Sequence, residues 1–574
     1  MNGDQKPQAK LTALGVLFTL VLILGLIGLG IYLVMGRKGG LLTTEKKVEQ
    51  PQGSQAEAPD LSNVTTVKEY KYVPAEKLPG VKGVSNYEWD NAQKIVKFSY
   101  NVWIGWLPII AANHGTKPNK DSIFYKKYGF QVELVLIDDP ITARDAYAAG
   151  KLHSLWGTVD MMTLFAPELM KDSRTAPRVV QQIDWSNGGD GIVVRDTIKS
   201  VSDLRGKTIV CAQNSPSEYF VTELLLSAGL RTGDVKMKYT TTAFEAAAAF
   251  VADKKIDAVV SWSPDIYNIS DKVPKTRLLS TTKEASKIIA DVYAFRADFY
   301  RDHPDIVKGF VACVFDGMDY AKQNQAQVAQ WVADAYGMKP EDINAMLADA
   351  HSTNFAENVQ FFLNSSNPTN FERTWKNANI VYRELGRIDA PVAFDQVMDF
   401  SIISDLDKAG TFKNQKDESV AAFVPQSYEK VSAEAPILTQ TIRINFYPNS
   451  ANLDEPARDD YGNVMKGQLY DPNVDATVER VARLAGQFAN AVIIIEGHTD
   501  SSMKGRVPEE AVKRLSMERA DAVKQQLIKK FKFDPNKFVV QGRGWDKPAD
   551  PANPLNQALN RRVEISVVPP EQNN

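Results

Sequence analysis

Between Leu11 and Met35 the chain runs 25 residues without a charged side chain. As a helix rising about 1.5 Å per residue, that run would span about 37 Å, more than the roughly 30 Å hydrocarbon core of a bilayer. No water-soluble domain exposes such a segment, so a single transmembrane helix is expected at 11–35, with residues 1–10 as a cytoplasmic tail. Lys6 and Lys10 flank one end and Arg37 and Lys38 the other, so the charge rule does not orient it. A short amino-terminal tail favours the amino terminus inside. A cleaved signal peptide is the rival reading, but its apolar region is about 7–15 residues and ends at a small-residue site. Here VMGRKGG closes the run and no cysteine follows to carry a lipid, so an uncleaved anchor is the better fit.

The remaining length holds several domains. At roughly 100–200 residues each, 574 residues imply about three to five. The formal charge of −3 gives no global field that would attract nucleic acid. The five histidines are scattered, with no metal-site spacing, and no phosphate-binding loop or nucleophile elbow occurs. The expectation is therefore no enzyme, no cofactor and no metal. Cys211 and Cys313 lie in apolar contexts and read as buried free thiols, although an oxidising compartment would allow a disulfide. Residues 36–93 read as linker and extended segment. The part from Gly39 to Thr66 is polar and Gln/Pro/Ser/Glu-rich, a tether. The part reading VPAEKLPGVKGVSNYEWDN has the prolines and aromatics of a coil strapped along the next domain.

Residues 94–410 alternate between strand and helix patterns. KIVKFSYNV, YGFQVELVLI, GIVV, TIVCA and DAVVSW read as strands, and 143–150, 217–228 and 244–252 as helices. That order implies an open α/β sheet with helices on both faces and a ligand site outside the carboxyl ends of the strands. Five segments ending strands should line it: 103–106, 158–160, 184–190, 215–219 and 261–265. Candidate ligand residues are Trp103, Trp106, Asp160, Asp184, Trp185, Ser215, Ser217 and Trp262. The Ser215-Pro216-Ser217 turn before a helix would suit a carboxylate or other anion, although an ordinary cap reads the same way. The tryptophans with Asp160 and Asp184 would suit an ammonium, although two of the four are expected in the core. Together they allow a zwitterion. Phe355 reads as packing.

The phrases NVWIGWLPIIAANHG, YGFQVELVLIDD, ARDAYAAGKL, DGIVVRDTIKSVSDLRGKTIV, NSPSEYFVTELLLSAGL and EAAAAFVADKKIDAVVSWSPDI stand in the order seen in one family. The set resembles the periplasmic solute-binding proteins of the sulfonate, nitrate and thiamine-pyrimidine type. The resemblance implies two α/β lobes closing on a small molecule, delivered to an ABC-type permease. The related thiamine-pyrimidine synthase carries a CCCFC motif, which this chain lacks.

After a linker at 411–436, residues 437–570 follow a β-α-β-α-β-β pattern, an α+β core. IEGHTD (495–500), LSMERA (515–520), VVQGRGWDKP (539–548) and LNRRVEI (559–565) together resemble the OmpA-like peptidoglycan-binding domain. The resemblance implies that Asp500 and Arg519, with Thr499 beside them, bind the diaminopimelate stem. Asp500 would take the ammonium and Arg519 the carboxylate in charge-assisted bonds. Taken alone, Asp500 would read as a loop cap and Arg519 as a surface ion pair. Two departures lie beside this pocket: about four extra residues before LSMERA, and Val512 where the family has Asn. A further insertion, ARDDYGNVMKGQLYDPN, follows NLDEP.

The expected architecture is thus multidomain: one N-terminal transmembrane helix, a two-lobed α/β periplasmic-binding-protein fold, then an α+β OmpA-like domain. Peptidoglycan lies outside the inner membrane, which would place the amino terminus in the cytoplasm and the bulk in the periplasm. The expected partners are peptidoglycan, a small ligand, the inner membrane and an ABC-type permease, with no nucleic acid. The first reading is a membrane-anchored, wall-attached solute-binding protein. The alternative is a structural or sensory envelope protein whose binding domain has lost transport. A stator-like channel subunit is disfavoured, because the apolar run contains no acid.

Overall fold

The computed structural model describes residues 64–419 and 422–569. The apolar run at 11–35 and the tether up to residue 63 lie outside the described residues. Among the described residues, no helix is long and apolar enough to cross a membrane.

Eleven strands between residues 95 and 352 form two sheets. They are β1 (Ile95–Tyr100), β2 (Gln131–Leu136), β3 (Ser154–Thr158), β4 (Pro177–Ser186), β5 (Asp190–Arg195), β6 (Thr208–Ala212), β7 (Lys236–Thr240), β8 (Ala258–Trp262), β9 (Thr276–Thr281), β10 (Ala290–Arg296) and β11 (Ala350–Ser352). The first lobe has the order β11-β4-β10-β3-β1-β2 and the second β7-β6-β8-β5-β9. β1 alternates in burial near its start, whereas β3 and β10 are buried throughout, as befits strands covered on both faces. The chain crosses between the sheets at 187–189 and again at 282–289.

Side chains tie the two crossings together. Ser186 Oγ donates to Asp190 Oδ2 at 2.7 Å and lies 2.8 Å from Thr282 Oγ1, which also accepts from the Gly188 amide at 2.9 Å. The Asp349 carbonyl, just ahead of β11, accepts from the amides of Asn187 (2.8 Å) and Gly189 (3.2 Å). A Cβ on Gly189 would meet the Trp103 ring at 2.4 Å, so only glycine lets the crossing lie against that indole. Helix Phe371–Glu384 then fastens one lobe to the other. Its Tyr382 hydroxyl donates to Asp160 in the first lobe (2.9 Å), and its Asn377 amide donates to Glu223 (2.8 Å) and Tyr219 (3.0 Å) in the second.

From residue 64 to 93 the chain is extended coil laid on these lobes. Two fully buried arginines hold it: Arg144 donates to the Pro79 carbonyl (2.7 Å) and Arg296 to the Ser85 carbonyl (2.9 Å). A buried guanidinium must spend its donors, and the carbonyls of an irregular strap must find partners, so each satisfies the other.

The last domain is built on β12 (Leu438–Ile442), β15 (Val492–His498), β16 (Phe538–Gly544) and β17 (Arg562–Val568), in the order β12-β17-β15-β16. Helices Val474–Gln487 and Glu509–Phe531 belong to the same domain. The latter packs on β15 and β16, and a Cβ on Gly497 of the IEGHTD phrase would stand 1.9 Å from the Ser516 carbonyl oxygen. The ARDDYGNVMKGQLYDPN insertion forms an exposed hairpin of β13 (Pro456–Arg458) and β14 (Val464–Leu469).

The connecting segment at 411–436, read as partly ordered, makes specific bonds at both ends. Gln415 is buried and accepts from the Phe355 amide (2.8 Å), while Tyr428 donates to Glu496 in the last domain (2.7 Å). The last domain packs directly on the second lobe. Gln487 donates to Glu223 (3.0 Å), the Val201 amide to the Ile437 carbonyl (3.2 Å), and Gln440 to the Ser227 carbonyl (3.2 Å). Arg373, just inside the interlobe helix, pairs with Glu479.

Candidate functional site

Between the lobes lies a cavity of about 210 Å³. It is built where the strand pattern expects it, from residues at or just past the carboxyl ends of β1, β2, β3, β6, β7 and β8, joined by Asp190 and Asp291 from the antiparallel β5 and β10. Trp103, Trp156, Trp262 and Phe244 supply its aromatic surface. The indole N–H groups of Trp103 and Trp156 are already engaged, with Asp184 at 3.3 Å and with the Ile137 carbonyl at 3.0 Å. Those rings therefore offer carbon surface to the cavity. Phe244 meets Trp262 edge-on at 5.5 Å.

The polar lining is acidic. Asp138, Asp139, Asp190 and Asp291 contribute to it, together with neutral groups such as Asn101, Thr158 and Ser215. Burial pushes the Asp190 carboxyl up to about 7 against the hydrogen bond from Ser186 that favours its ionised form. Burial also raises Asp291 well above the usual carboxylate range, and the neighbouring Asp184 charge adds to the effect. Asp184 itself is pushed up to about 7 by burial, opposed by its bond from Trp103. Asp138 is raised by burial although the Val102 amide donates to it at 2.8 Å, and its Oδ2 is buried without a partner.

Of the eight residues expected at the ligand, the fold brings Trp103, Ser215 and Trp262 together at the cavity. The other five stand elsewhere. Trp106 is fully buried, packs on Phe98 and donates to Asn101 (2.7 Å). Trp185 packs edge-on against Phe361, because neighbours on a strand point to opposite faces and Asp184 takes the side toward Trp103. Asp184 therefore lies behind Trp103. Asp160 is buried beneath Tyr382, and burial pushes it up to about 6. Ser217 is fully buried inside its helix. Ser215 caps that helix without a side-chain bond to it, since its hydroxyl donates to the Ala212 carbonyl (2.8 Å). Phe355 packs on Phe315 and Phe412. The sequence reading did not single out Trp156, Phe244, Asp138 or Asp291 for the cavity lining, and reached Asp190 only as the end of the 184–190 segment. The placement of Asp138 straight after β2 was the available signal.

In the last domain, the turn after β15 and helix Glu509–Phe531 form a second candidate site. Asp500 is buried, accepts from the Ser502 amide (2.8 Å) and pairs with Arg561. Burial acts to raise its carboxyl, but the bonds from Ser502 and Arg561 outweigh it and hold Asp500 below the usual carboxylate range. Arg519 donates to the Ser450 carbonyl (3.0 Å), lies over the Phe446 ring at 4.9 Å and feels the charges of both Arg561 and Asp500. Thr499 donates its amide to the Gly544 carbonyl (2.7 Å), while its hydroxyl is buried without a partner. Val512 is buried beside Gly544. Among the described residues, Glu496, His498 and Glu564 also cluster with ligand atoms within 4.8 Å of one another. Arg543 (2.6 Å) and Lys547 (3.3 Å) already pair with Glu496, and Arg562 (2.7 Å) with Glu564. The carboxylates are thus neutralised by cations that a metal ion would have to displace.

Residues 119–328 match the family described as NMT1/THI5 like, and residues 445–562 match the OmpA family. Outer membrane protein Omp38 of Acinetobacter baumannii is 30% identical over 131 residues, which are 23% of this chain and 31% of that protein. The chain therefore spans less than a third of that relative. A Brucella abortus protein, provisionally named a binding protein, is 25% identical over 244 residues, 42% of this chain and 70% of its own length. Among solved structures, the alkanesulfonate-binding protein SsuA of Xanthomonas axonopodis pv. citri aligns at TM-score 0.41 and 15% identity, covering 54% of this chain and 99% of its own.

Proposed function

We propose that this chain, which joins an NMT1/THI5-like domain to an OmpA domain, is a solute-binding protein of the cell envelope that attaches to the wall. The observation that carries the reading is the interlobe cavity at the carboxyl ends of the strands, walled by aromatic rings and a few convergent polar groups. Asp500 and Arg519, lying near each other with opposite charge, suit the ammonium and carboxylate of a diaminopimelate stem. Anchoring through residues 11–35 and delivery to an ABC-type permease complete the proposal. Neither cysteine lines the cavity and both are buried, which favours binding over thiol chemistry.

The test is a thermal shift of the purified full chain against amino acids, amines, sulfonates, nitrate and pyrimidines, beside sedimentation with peptidoglycan. A ligand for the folded state raises the melting temperature with concentration. A hit in the first assay, with wall retention dependent on Asp500 and Arg519 in the second, supports the proposal. A second reading, a structural or sensory envelope protein, draws on one observation. Helix Phe371–Glu384 bonds both lobes and carries the Arg373 link to the last domain, which would oppose the opening a transport receptor needs. Wall retention without any ligand would favour that reading.

A further inference from the structure

We propose that the interlobe cavity takes a small organic cation, its ammonium held by Asp190 and Asp291 and enclosed by Trp103, Trp156 and Trp262. This rests on the solute-binding reading and names the ligand class. Four carboxylates line the cavity, and among the described residues no arginine, lysine or histidine does. A sulfonate or nitrate needs donors, yet the indole N–H groups of Trp103 and Trp156 and the Ser215 hydroxyl are all committed to protein acceptors. Neutral donors remain at Asn101, Gln213, Thr241 and Trp262, but the charged lining is carboxylate alone, set among ring surfaces. That pairing suits an ammonium, which is attracted by a ring quadrupole and by a negative charge in a dry site.

Asp138 supplies an independent sign. One of its oxygens is fixed by the Val102 amide, while the other is buried with no partner. A buried acceptor left unbonded is costly, and a cationic donor would satisfy it. Asp291 and Asp184 face each other across β10 and β4, where burial beside a second carboxyl favours their protonated forms; a cation bound there would favour the ionised ones. The nearest histidine to this pair, His351, is committed to Glu357 at 2.5 Å. At about 210 Å³ the cavity is smaller than the roughly 300 Å³ at which drug-sized sites begin, which fits a compact amine. A zwitterion would bring its own carboxylate into the same acidic space, so the ligand expected here carries no anionic group.

The experiment is calorimetric titration of the full chain with choline, n-butylamine, ethanesulfonate and nitrate, on the native protein and on Asp190→Asn and Asp138→Asn. Binding of choline or n-butylamine, weakened at least tenfold by either substitution, supports the inference. Two variants are used so that a misfolded one, recognised by loss of its melting transition, leaves the other to decide. Binding of ethanesulfonate or nitrate, unaffected by either substitution, overturns the cation assignment and leaves the solute-binding proposal standing. No binding of either amine overturns the assignment as well, and the broader thermal-shift panel then judges the proposal beneath it.

Discussion

Arg561 donates from its Nε to the Oδ2 of Asp500, so the carboxylate proposed to receive the wall's ammonium group already has a cation along one edge. The pair sits where LNRRVEI, leading into the last strand, meets the TD turn, two phrases 61 residues apart. The Arg561 bond orients Asp500, and the Ser502 amide fixes its other oxygen.

Wall retention is expected to fall at least tenfold in Asp500→Asn and in Arg519→Ala, measured by co-sedimentation of the full chain with peptidoglycan. Asp500 is held below the usual carboxylate range, so its charge persists on acidification. Retention should therefore survive from neutral pH down past 4 and fail only as the pH drops through that depressed value. A midpoint near 6 would contradict the role of Asp500.

The ligand-free protein should lose stability as pH rises. Asp190 starts from 3.8 when unfolded and is pushed up to about 7 when folded, so the unfolded state releases its proton first. The contribution is present at low pH and is lost between about 4 and 7. A rise from 3.8 to about 7 is roughly 3 pH units, on the order of 4 kcal/mol for this buried group. Asp190→Asn should flatten the fall in melting temperature between pH 5 and 7.5. An unchanged pH profile would show that Asp190 does not carry this cost.

Gly497→Ala should destabilise the last domain by about 1–3 kcal/mol, because the added methyl would overlap the Ser516 carbonyl and force the long helix off the sheet. Urea unfolding followed by circular dichroism measures it. A loss below about 0.5 kcal/mol would mean the helix can shift freely.

Replacing Arg373 and Gln487 together with alanine should loosen the joint between the second lobe and the last domain. The loss of the Glu479 and Glu223 contacts should show as a larger radius of gyration in solution scattering. An unchanged radius would mean the remaining contacts, among them the Val201 and Lys287 backbone bonds and Gln440 on Ser227, suffice to hold the joint.

Cys211 and Cys313 are free and fully buried, and burial raises both thiols above their ordinary value. Neither should react with a thiol reagent in the native protein, and both should react on denaturation. Prompt labelling of the native chain would be the contrary result.

Much of this protein is legible in its order of residues. Strand-helix alternation and apolar period define two α/β lobes and an α+β domain, because burial of one face or both writes itself into the pattern of each segment. The ends of β1, β6 and β8 pointed to Trp103, Ser215 and Trp262 for the same reason, since loops past parallel strands converge on one edge. The phrases IEGHTD and LSMERA likewise carry Asp500 and Arg519, which the fold brings near each other.

Only the tertiary structure could separate Trp103 from Trp106, one short turn apart, or Asp184 from Trp185, adjacent on one strand. Where each residue of a pair points depends on what the opposing element offers: Asn101 draws the Trp106 indole inward and leaves Trp103 at the cavity, while Phe361 takes Trp185 and Asp184 bonds Trp103 from behind. Asp291 joins the cavity because β10 runs antiparallel to β3 and delivers its beginning where β3 delivers its end. The connector at 411–436 is fastened at both ends because Gln415 and Tyr428 find buried partners far away in sequence. Local pattern determines which segments bury a face; the pairing of one buried face with another, hundreds of residues distant, is decided only when the chain closes on itself.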